Sequence, residues 1–212
     1  LVRCGEGPEL EFRQVEAEGY TEVVAAMRDR PGLFADIAGI TAAHRLNILS
    51  ADLNTRSDGW ALDVLRVTDA LGQPVASERV WRAWREDLAA VLRGEAFTRE
   101  LLEESTRRQG APGQRSGPAG RAPRVSVDNR ASSRFTVIDI AARDRMGLLY
   151  DIASTLSRRG LNIRLAKIAT TLEMAADAFY VEHTGGGKIL DPQELALIRT
   201  ELLTALRSGG TR

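Results

Sequence analysis

Two short turns carry the residue types best suited to binding a small charged ligand. The first, residues 29–33 (Asp-Arg-Pro-Gly-Leu), follows a segment rich in Val and Ala and precedes apolar residues at helical spacing. The first N–H groups of a helix have no partner within it, and a glycine there lets a ligand approach the backbone closely. The turn could therefore bind a carboxylate, while Asp29 could meet an ammonium group and Asn47 could both donate and accept a hydrogen bond.

The turn recurs 115 positions later as residues 144–148 (Asp-Arg-Met-Gly-Leu), and the Leu-Asn-Ile of 46–48 recurs at 161–163 with the same offset. A tight turn capped by Asp would explain one copy without any ligand, but two copies, each with a matching Asn, favour a ligand site. The repeat predicts two binding sites, formed by Asp29, Arg30, Gly32, Leu33 and Asn47 in the first half and by Asp144, Gly147, Leu148 and Asn162 in the second.

Catalytic and metal-binding chemistry finds little support in the remaining residues. His44 and His183 have no Cys or His at metal-ligand spacing, and Cys4, the only cysteine, has no histidine paired to it. His44 falls at the end of a predicted helix, where a cation suits the helix dipole. Residues 185–188 (Gly-Gly-Gly-Lys) lack the Ser or Thr that a phosphate loop requires after its Lys. We therefore predict no catalytic residues, no metal site and no cofactor in this chain.

The composition is typical of a globular protein without a strong charge preference. The 29 basic and 29 acidic side chains cancel, so neither nucleic acid nor an anionic membrane is favoured as a partner. No apolar run is long enough to cross a bilayer, and the polar first residues are unlike a signal peptide. The single cysteine fits a reduced, cytoplasmic setting. Because the chain begins with Leu1 and not with Met, we expect it to be a fragment of a longer protein.

Each half of the chain shows the same series of predicted elements, in the order β-α-β-β-α. One more strand would complete a βαββαβ unit. We predict an α+β fold of two ferredoxin-like units, with antiparallel sheets and helices on one face. The expected domains are an N-terminal segment with a spare strand (1–19), a first unit (20–103), a Gly- and Pro-rich flexible linker (104–124) and a second unit with its own spare strand (125–212).

Two extra strand-like segments precede the repeats, namely residues 10–15 and 125–128. Without them, each half would expose an open sheet edge. We expect an exchange, in which residues 125–128 close the sheet of the first half and residues 10–15 close the sheet of the second.

Residues 29–38 (Asp-Arg-Pro-Gly-Leu-Phe-Ala-Asp-Ile-Ala), followed by Leu-Asn-Ile, resemble the signature of the ACT family of small-molecule regulatory domains. That resemblance implies amino-acid binding at interfaces between paired domains, mainly through the first strand–helix turn. Residues 123–139, 144–151 and 177–181 more closely resemble the C-terminal region of the bacterial PII uridylyltransferase/uridylyl-removing enzyme family. In that family a nucleotidyltransferase domain and an HD domain do the chemistry, and tandem ACT domains sense glutamine.

The resemblance thus implies a glutamine-sensing module, not itself an enzyme, of a parent that acts on PII protein, uses Mg and controls nitrogen assimilation. Met146 stands where the family has Pro, so the second turn is predicted to be less rigid and to bind ligand less well. Two alternatives stay open: a dimerisation or interaction module without a ligand, and an ACT regulator that responds to another amino acid. The sheet edges and faces are candidate homodimer surfaces.

Overall fold

The computed structural model describes residues 7–109, 122–168, 170–171 and 174–208. Along the strands, buried and exposed side chains alternate, as expected for a sheet that is covered on one face. The elements of the first half are β1 (Glu9–Val15), β2 (Tyr20–Arg28), α1 (Leu33–Ala43), β3 (Asn47–Thr55), β4 (Trp60–Thr68), α2 (Glu78–Leu92) and α3 (Thr98–Gln109).

The second half repeats the order of the strands and of the first and last helices. Its final helix begins as its sequence predicts, because the carboxylate of Asp191 accepts a hydrogen bond from the N–H of Gln193 at 3.0 Å. The elements of this half are β5 (Arg124–Asp128), β6 (Thr136–Arg143), α4 (Leu148–Arg158), β7 (Leu161–Lys167), β8 (Thr170–Thr171), β9 (Met174–His183) and α5 (Pro192–Ser208).

One antiparallel sheet runs through both halves, in the order β1-β2-β4-β3-β7-β9-β6-β5, with the short β8 beside β9. The predicted α+β class with antiparallel strands is confirmed, but the expectation of a separate sheet in each half is wrong. The halves join where β3 pairs with β7, so that residues 50–52 lie opposite residues 165–167. We call this pairing the seam. Beside it, the N–H of Ile168 donates to the carbonyl oxygen of Leu49 at 3.0 Å.

The edge strands belong to their own halves, so the predicted exchange of strands is wrong. β1 pairs with β2, and β5 pairs with β6. A tight turn joins β1 to β2, in which the N–H of Gly19 bonds to the carbonyl of Val15 at 2.9 Å and Gly19 has a left-handed φ of 78°. A hairpin of this length closes at a much lower entropic cost than a strand exchanged across the whole chain. The edge strand therefore precedes each repeat and pairs with the strand that follows it.

Helix α3 replaces the beginning of the predicted linker. We expected a flexible linker from residue 104, but residues 98–109 are helical; residues 110–121 of that linker lie outside the described part of the chain. The helix packs on α1, where Thr98 Oγ1 donates to Asp36 at 2.6 Å and Ser105 Oγ donates to the carbonyl of Ala43 at 2.6 Å. Its charged outer face, with pairs four residues apart such as Arg108 and Glu104, explains why the sequence resembles a linker.

The helices cover a hydrophobic core, and in the first half aromatic side chains hold its elements together. Phe12 of β1 stacks on Trp81 of α2 with ring centroids 4.4 Å apart, which holds the edge strand to the helix. Trp84 donates its indole N–H to Thr41 Oγ1 at 3.1 Å. His44 lies at the end of α1 and its Nε2 is 2.7 Å from Asp87 of α2. The predicted position of His44 at the end of a helix is confirmed.

The packing of α1 against α3 and α4 can be tested at Gly39. Alanine in a helix interior normally stabilises by about 1 kcal/mol relative to glycine. Here a Cβ atom would lie 2.3 Å from Thr98 Cγ2 and 2.9 Å from Tyr150 Cδ2, so both neighbouring helices would have to move. We expect Gly39→Ala to lower the free energy of unfolding by about 1–3 kcal/mol, measured by urea denaturation.

The control is the double variant Gly39→Ala/Thr98→Ser. Serine removes the methyl group that blocks the new Cβ but keeps the hydroxyl group that bonds Asp36. It should recover part of the lost stability. A Gly39→Ala variant as stable as the wild type would contradict the described packing.

Candidate ligand site

The first strand–helix turn leaves two backbone amides free at the start of α1. Gly32, the N-cap residue, has a left-handed φ of 82° and no side chain to cap the helix. The N–H of Leu33 bonds to the carbonyl of Arg30 at 3.1 Å and is used within the turn. Within the described residues, the N–H groups of Phe34 and Ala35 have no protein acceptor. Two donors at the positive end of a helix are suited to an anion.

These amides lie beside a cavity of about 50 Å³ between the two halves of the chain. The turn and the start of α1 form one wall, the buried face of β3 and β4 forms the floor, and the second half forms the opposite wall. The lining residues that matter below are residues 29–35, Thr55 and Asp63 from the first half, and Ala153 and residues 161–164 from the second.

The structure places some of the predicted site residues at the cavity and others away from it. Asp29, Arg30, Gly32 and Leu33 line the cavity together. The asparagine that lines it with them is Asn162 of the second half, whereas Asn47, expected beside the first turn, does not line it. Asn47 instead donates through Nδ2 to the carbonyl of Asp69 at 3.1 Å. The reason is the seam: antiparallel pairing brings the start of β7 beside the end of β3, next to the first turn.

A chain of polar contacts crosses the seam at the cavity. The hydroxyl group of Thr55 donates to Asp29 Oδ2 at 2.7 Å and accepts from Arg164 Nη1 at 3.0 Å. Arg164 also donates through Nε to Glu182 Oε1 at 2.7 Å, so its charge is already paired. This network links the turn of the first half to two strands of the second. A ligand in the cavity would contact residues from both halves.

Arg30 connects the cavity to helix α3. Its guanidinium donates to Asp36 Oδ2 at 2.5 Å, and the other oxygen of Asp36 accepts the bond from Thr98. Arg145 and Asp151 make the same 2.5 Å pair in the second half. Asp36 therefore holds the first turn and the connecting helix in one arrangement.

The second turn has a different environment, although its backbone is nearly the same. Gly147 has a left-handed φ of 75°, but Asp144, Gly147 and Leu148 do not line the cavity. Helix α3 lies over this turn: a methyl group added at Gly147 would be 3.8 Å from Leu102, and the hydroxyl group of Thr106 lies 3.7 Å from the sulfur of Met146. The two predicted sites are thus not equivalent in the structure.

Asp63 is a cavity residue that the sequence analysis did not single out. It lies on β4 with only 4% of its surface exposed, and burial raises the pKa of its carboxyl group to about 7. The nearby charge of Asp29 adds to this rise, while the N–H of Asn54 and the charge of Arg164 oppose it. The sequence did contain a signal that could have identified Asp63, because a charged residue recurs at the same position of two apolar strands. Asp177 occupies the matching position in the second half and is also 4% exposed.

Metal-binding clusters and membrane-spanning helices are absent from the part of the chain that the structure describes. No group of three or more His, Cys, Asp or Glu side chains there is placed to hold a metal ion. None of the helices described is both long enough and apolar enough to cross a bilayer.

The α+β fold with its antiparallel sheet is consistent with ACT-like domains. Residues 124–208 match the family model described as the ACR9-like, ACT-like domain. Most of the chain is similar to one region of the bifunctional uridylyltransferase/uridylyl-removing enzymes, which confirms the resemblance seen in the sequence.

The similarity to these enzymes extends through both halves of the chain. The chain is 40% identical over 190 residues to the enzyme of Caulobacter vibrioides, a match covering 89% of this chain and 20% of that protein. For the Gluconobacter oxydans enzyme the identity is 37% over 200 residues, covering 94% and 21%. For the Rhodospirillum rubrum enzyme it is 38% over 187 residues, covering 88% and 20%. The chain spans about a fifth of the length of the curated relatives it matches.

A solved structure of an unknown protein from Galdieria sulphuraria is 13% identical and covers 91% of this chain and 94% of its own. Its TM-score of 0.27 is too low to inform the fold.

The buried acid predicts a pH dependence of stability. The pKa of Asp63 in the folded state, about 7, lies above its ordinary value of 3.8, so the folded state binds more protons between these values. The stability from the neutral form is therefore fully present below about pH 4 and declines up to about pH 7, by at most about 1.4 kcal/mol per pH unit. Asp63→Asn, which mimics the neutral acid, should flatten this decline in denaturant titrations across the window.

The matched control for this prediction is Asp52→Asn. Asp52 is an exposed acid on the neighbouring strand β3, so its replacement removes the same formal charge without changing a buried group. It should keep the wild-type slope. Equal slopes in wild type and Asp63→Asn would show that Asp63 does not take up a proton on folding.

Proposed function

We propose that this chain is the amino-acid-sensing regulatory part of a bifunctional uridylyltransferase/uridylyl-removing enzyme, with glutamine as its ligand. We also propose that its halves are two ferredoxin-like ACT units, each with its last strand moved to the front. The observation that carries the proposal is the cavity at the seam, where the turn of one half meets Asn162 of the other. Similarity to the enzymes of three bacteria supports the choice of parent.

The cavity offers separate partners for the two charged groups of an amino acid. The free amides of Phe34 and Ala35 suit its carboxylate, supported by the positive end of α1. Asp29, on the same turn, suits its ammonium group. Asn162 can bond a polar side chain with a donor and an acceptor. In this arrangement Asn162 takes the place that the sequence analysis gave to Asn47.

Binding would have to open the site. A cavity of about 50 Å³ has room for little more than one or two water molecules and is smaller than an amino acid. The wall that we propose to move is the seam, where three residue pairs of β3 and β7 lie opposite each other in the described part of the chain. Ligand binding would therefore change how the two halves meet. Such a change is what a regulatory domain needs to transmit occupancy to attached domains.

The proposal extends to the parent protein. We propose that it modifies PII protein in response to glutamine, that Mg belongs to its catalytic domains, and that it acts in the cytoplasm. The same assignment implies that this chain alone does not catalyse the modification of PII protein.

The two asparagines provide a matched test of the site. Asn162→Ala should weaken glutamine binding by roughly 2- to 10-fold, the effect of losing one hydrogen bond. Asn47→Ala removes the same side chain at the equivalent position of the other half, away from the cavity, and should leave the affinity unchanged. Isothermal calorimetry with glutamine, glutamate and glycine measures both variants and the wild type.

The outcomes separate the remaining alternatives. If only glycine gave a heat of binding, an ACT regulator that responds to another amino acid would be favoured. No heat from any of the three at millimolar concentration would favour an interaction module without a ligand. A loss in Asn47→Ala equal to that in Asn162→Ala would place the ligand elsewhere than at the described cavity.

A further inference from the structure

The floor of the cavity contains an acid in apolar surroundings. The direct neighbours of Asp63 across the sheet, on the same buried face, are Ala25 of β2 and Leu53 of β3. Its carboxyl group accepts a hydrogen bond from the N–H of Asn54, and within the described residues no Arg or Lys forms an ion pair with it. An acid in such a place, without a cation to balance it, costs stability and is more common at binding sites than elsewhere.

The other charged groups at the cavity are already engaged. Arg30 is paired with Asp36, and Arg164 is paired with Glu182. Asp29, the remaining charged group of the turn, is negative and accepts from Thr55. Among the described residues that line the cavity, there is therefore no unpaired positive charge near Asp63 that could receive a second carboxylate from a ligand.

We propose that Asp63 is the specificity residue of this site: it bonds the side-chain carboxamide of a bound amino acid and excludes a side-chain carboxylate. The inference rests on the proposed function, because it assumes that an amino acid enters the cavity at the seam. The ligand's own carboxylate and ammonium group occupy the helix amides and Asp29, which leaves its side chain directed at the floor.

Both protonation states of Asp63 suit a carboxamide. The carboxylate accepts from the amide N–H, and the neutral acid donates to the amide carbonyl while its own carbonyl accepts. A ligand carboxylate is repelled by Asp63 when Asp63 is ionised, and it can accept a hydrogen bond from Asp63 only when Asp63 is protonated. Discrimination of glutamine from glutamate then comes from a repulsive element built into the floor, besides any attraction of the amide.

The test is calorimetry of the full chain with glutamine and with glutamate, at pH 8 and pH 6. The variant Asp63→Asn keeps the size of the side chain but cannot carry a charge, and its amide can pair with either ligand. At pH 8 we expect it to lower the preference for glutamine over glutamate about tenfold, mainly by improving glutamate binding. Asp177→Asn replaces the equivalent buried acid of the second half, which does not line the cavity, and should keep the wild-type preference.

The wild type alone gives a second measurement, should Asp63→Asn fold poorly. From pH 8 to pH 6 its affinity for glutamate should rise about tenfold, because Asp63, with its pKa of about 7, gains the proton that the ligand carboxylate needs. Its affinity for glutamine should change little. Asp29, Arg30 and Arg164 are the other charged groups facing this position, and Asp63→Asn retains them all, so it should remove the pH effect.

Two failures can be told apart. If wild type binds neither glutamine nor glutamate, the proposed function fails and this inference fails with it. If wild type binds glutamine but Asp63→Asn leaves the preference and its pH dependence unchanged, the site stands and Asp63 has no part in specificity.

Discussion

The pairing of β3 with β7 is the interaction on which the rest of the structure depends. Each of these strands is an edge of its own half, and exposed edges are open to unwanted pairing. Joining them hides both edges, brings α1 and α4 side by side and closes the cavity beside the first turn. Neither Asn162 nor Arg164 would lie near Asp29 without this pairing. The candidate site is therefore a property of the two halves together.

Helix α3 breaks the symmetry that the repeated sequence suggests. The two turns agree in their left-handed glycines and in their Arg–Asp pairs, so local sequence gives them the same backbone. In the described part of the chain such a helix follows the first half alone, and it lies on α1 and over the turn at Gly147. One turn thus opens into a cavity and the other faces a helix. Asp36, which bonds both Arg30 and Thr98, joins the open turn to the same helix.

The sequence predicted features that depend on neighbours along the chain. The strands around Asp58–Gly59, the cap at Asp191 and the glycine turns follow from local backbone preferences. The sequence did not predict features that depend on which distant segments of the chain come together. Nothing in the types of residues 50–52 marks them as the join between halves, and the direction of that join determines whether Asn47 or Asn162 meets the first turn. Helix α3 was missed because its outer face is highly charged, and its packing partners lie far away in the sequence.

Asp63 and Asp177 are equivalent acids of the two halves with different surroundings. Both are acids on the covered face of the sheet, equally buried, so an acid at this place in the strand is a feature of the repeat and not of the cavity alone. Of the two, Asp63 lines the cavity beside the seam. Burial opposes the charge of its carboxyl group, and Arg164, whose charge favours the ionised form, is paired with Glu182. If an amino acid binds as proposed, its side chain reaches this carboxyl group as the two halves move apart. Ligand binding and the movement of the seam would then be coupled, and such coupling is what a sensing domain requires.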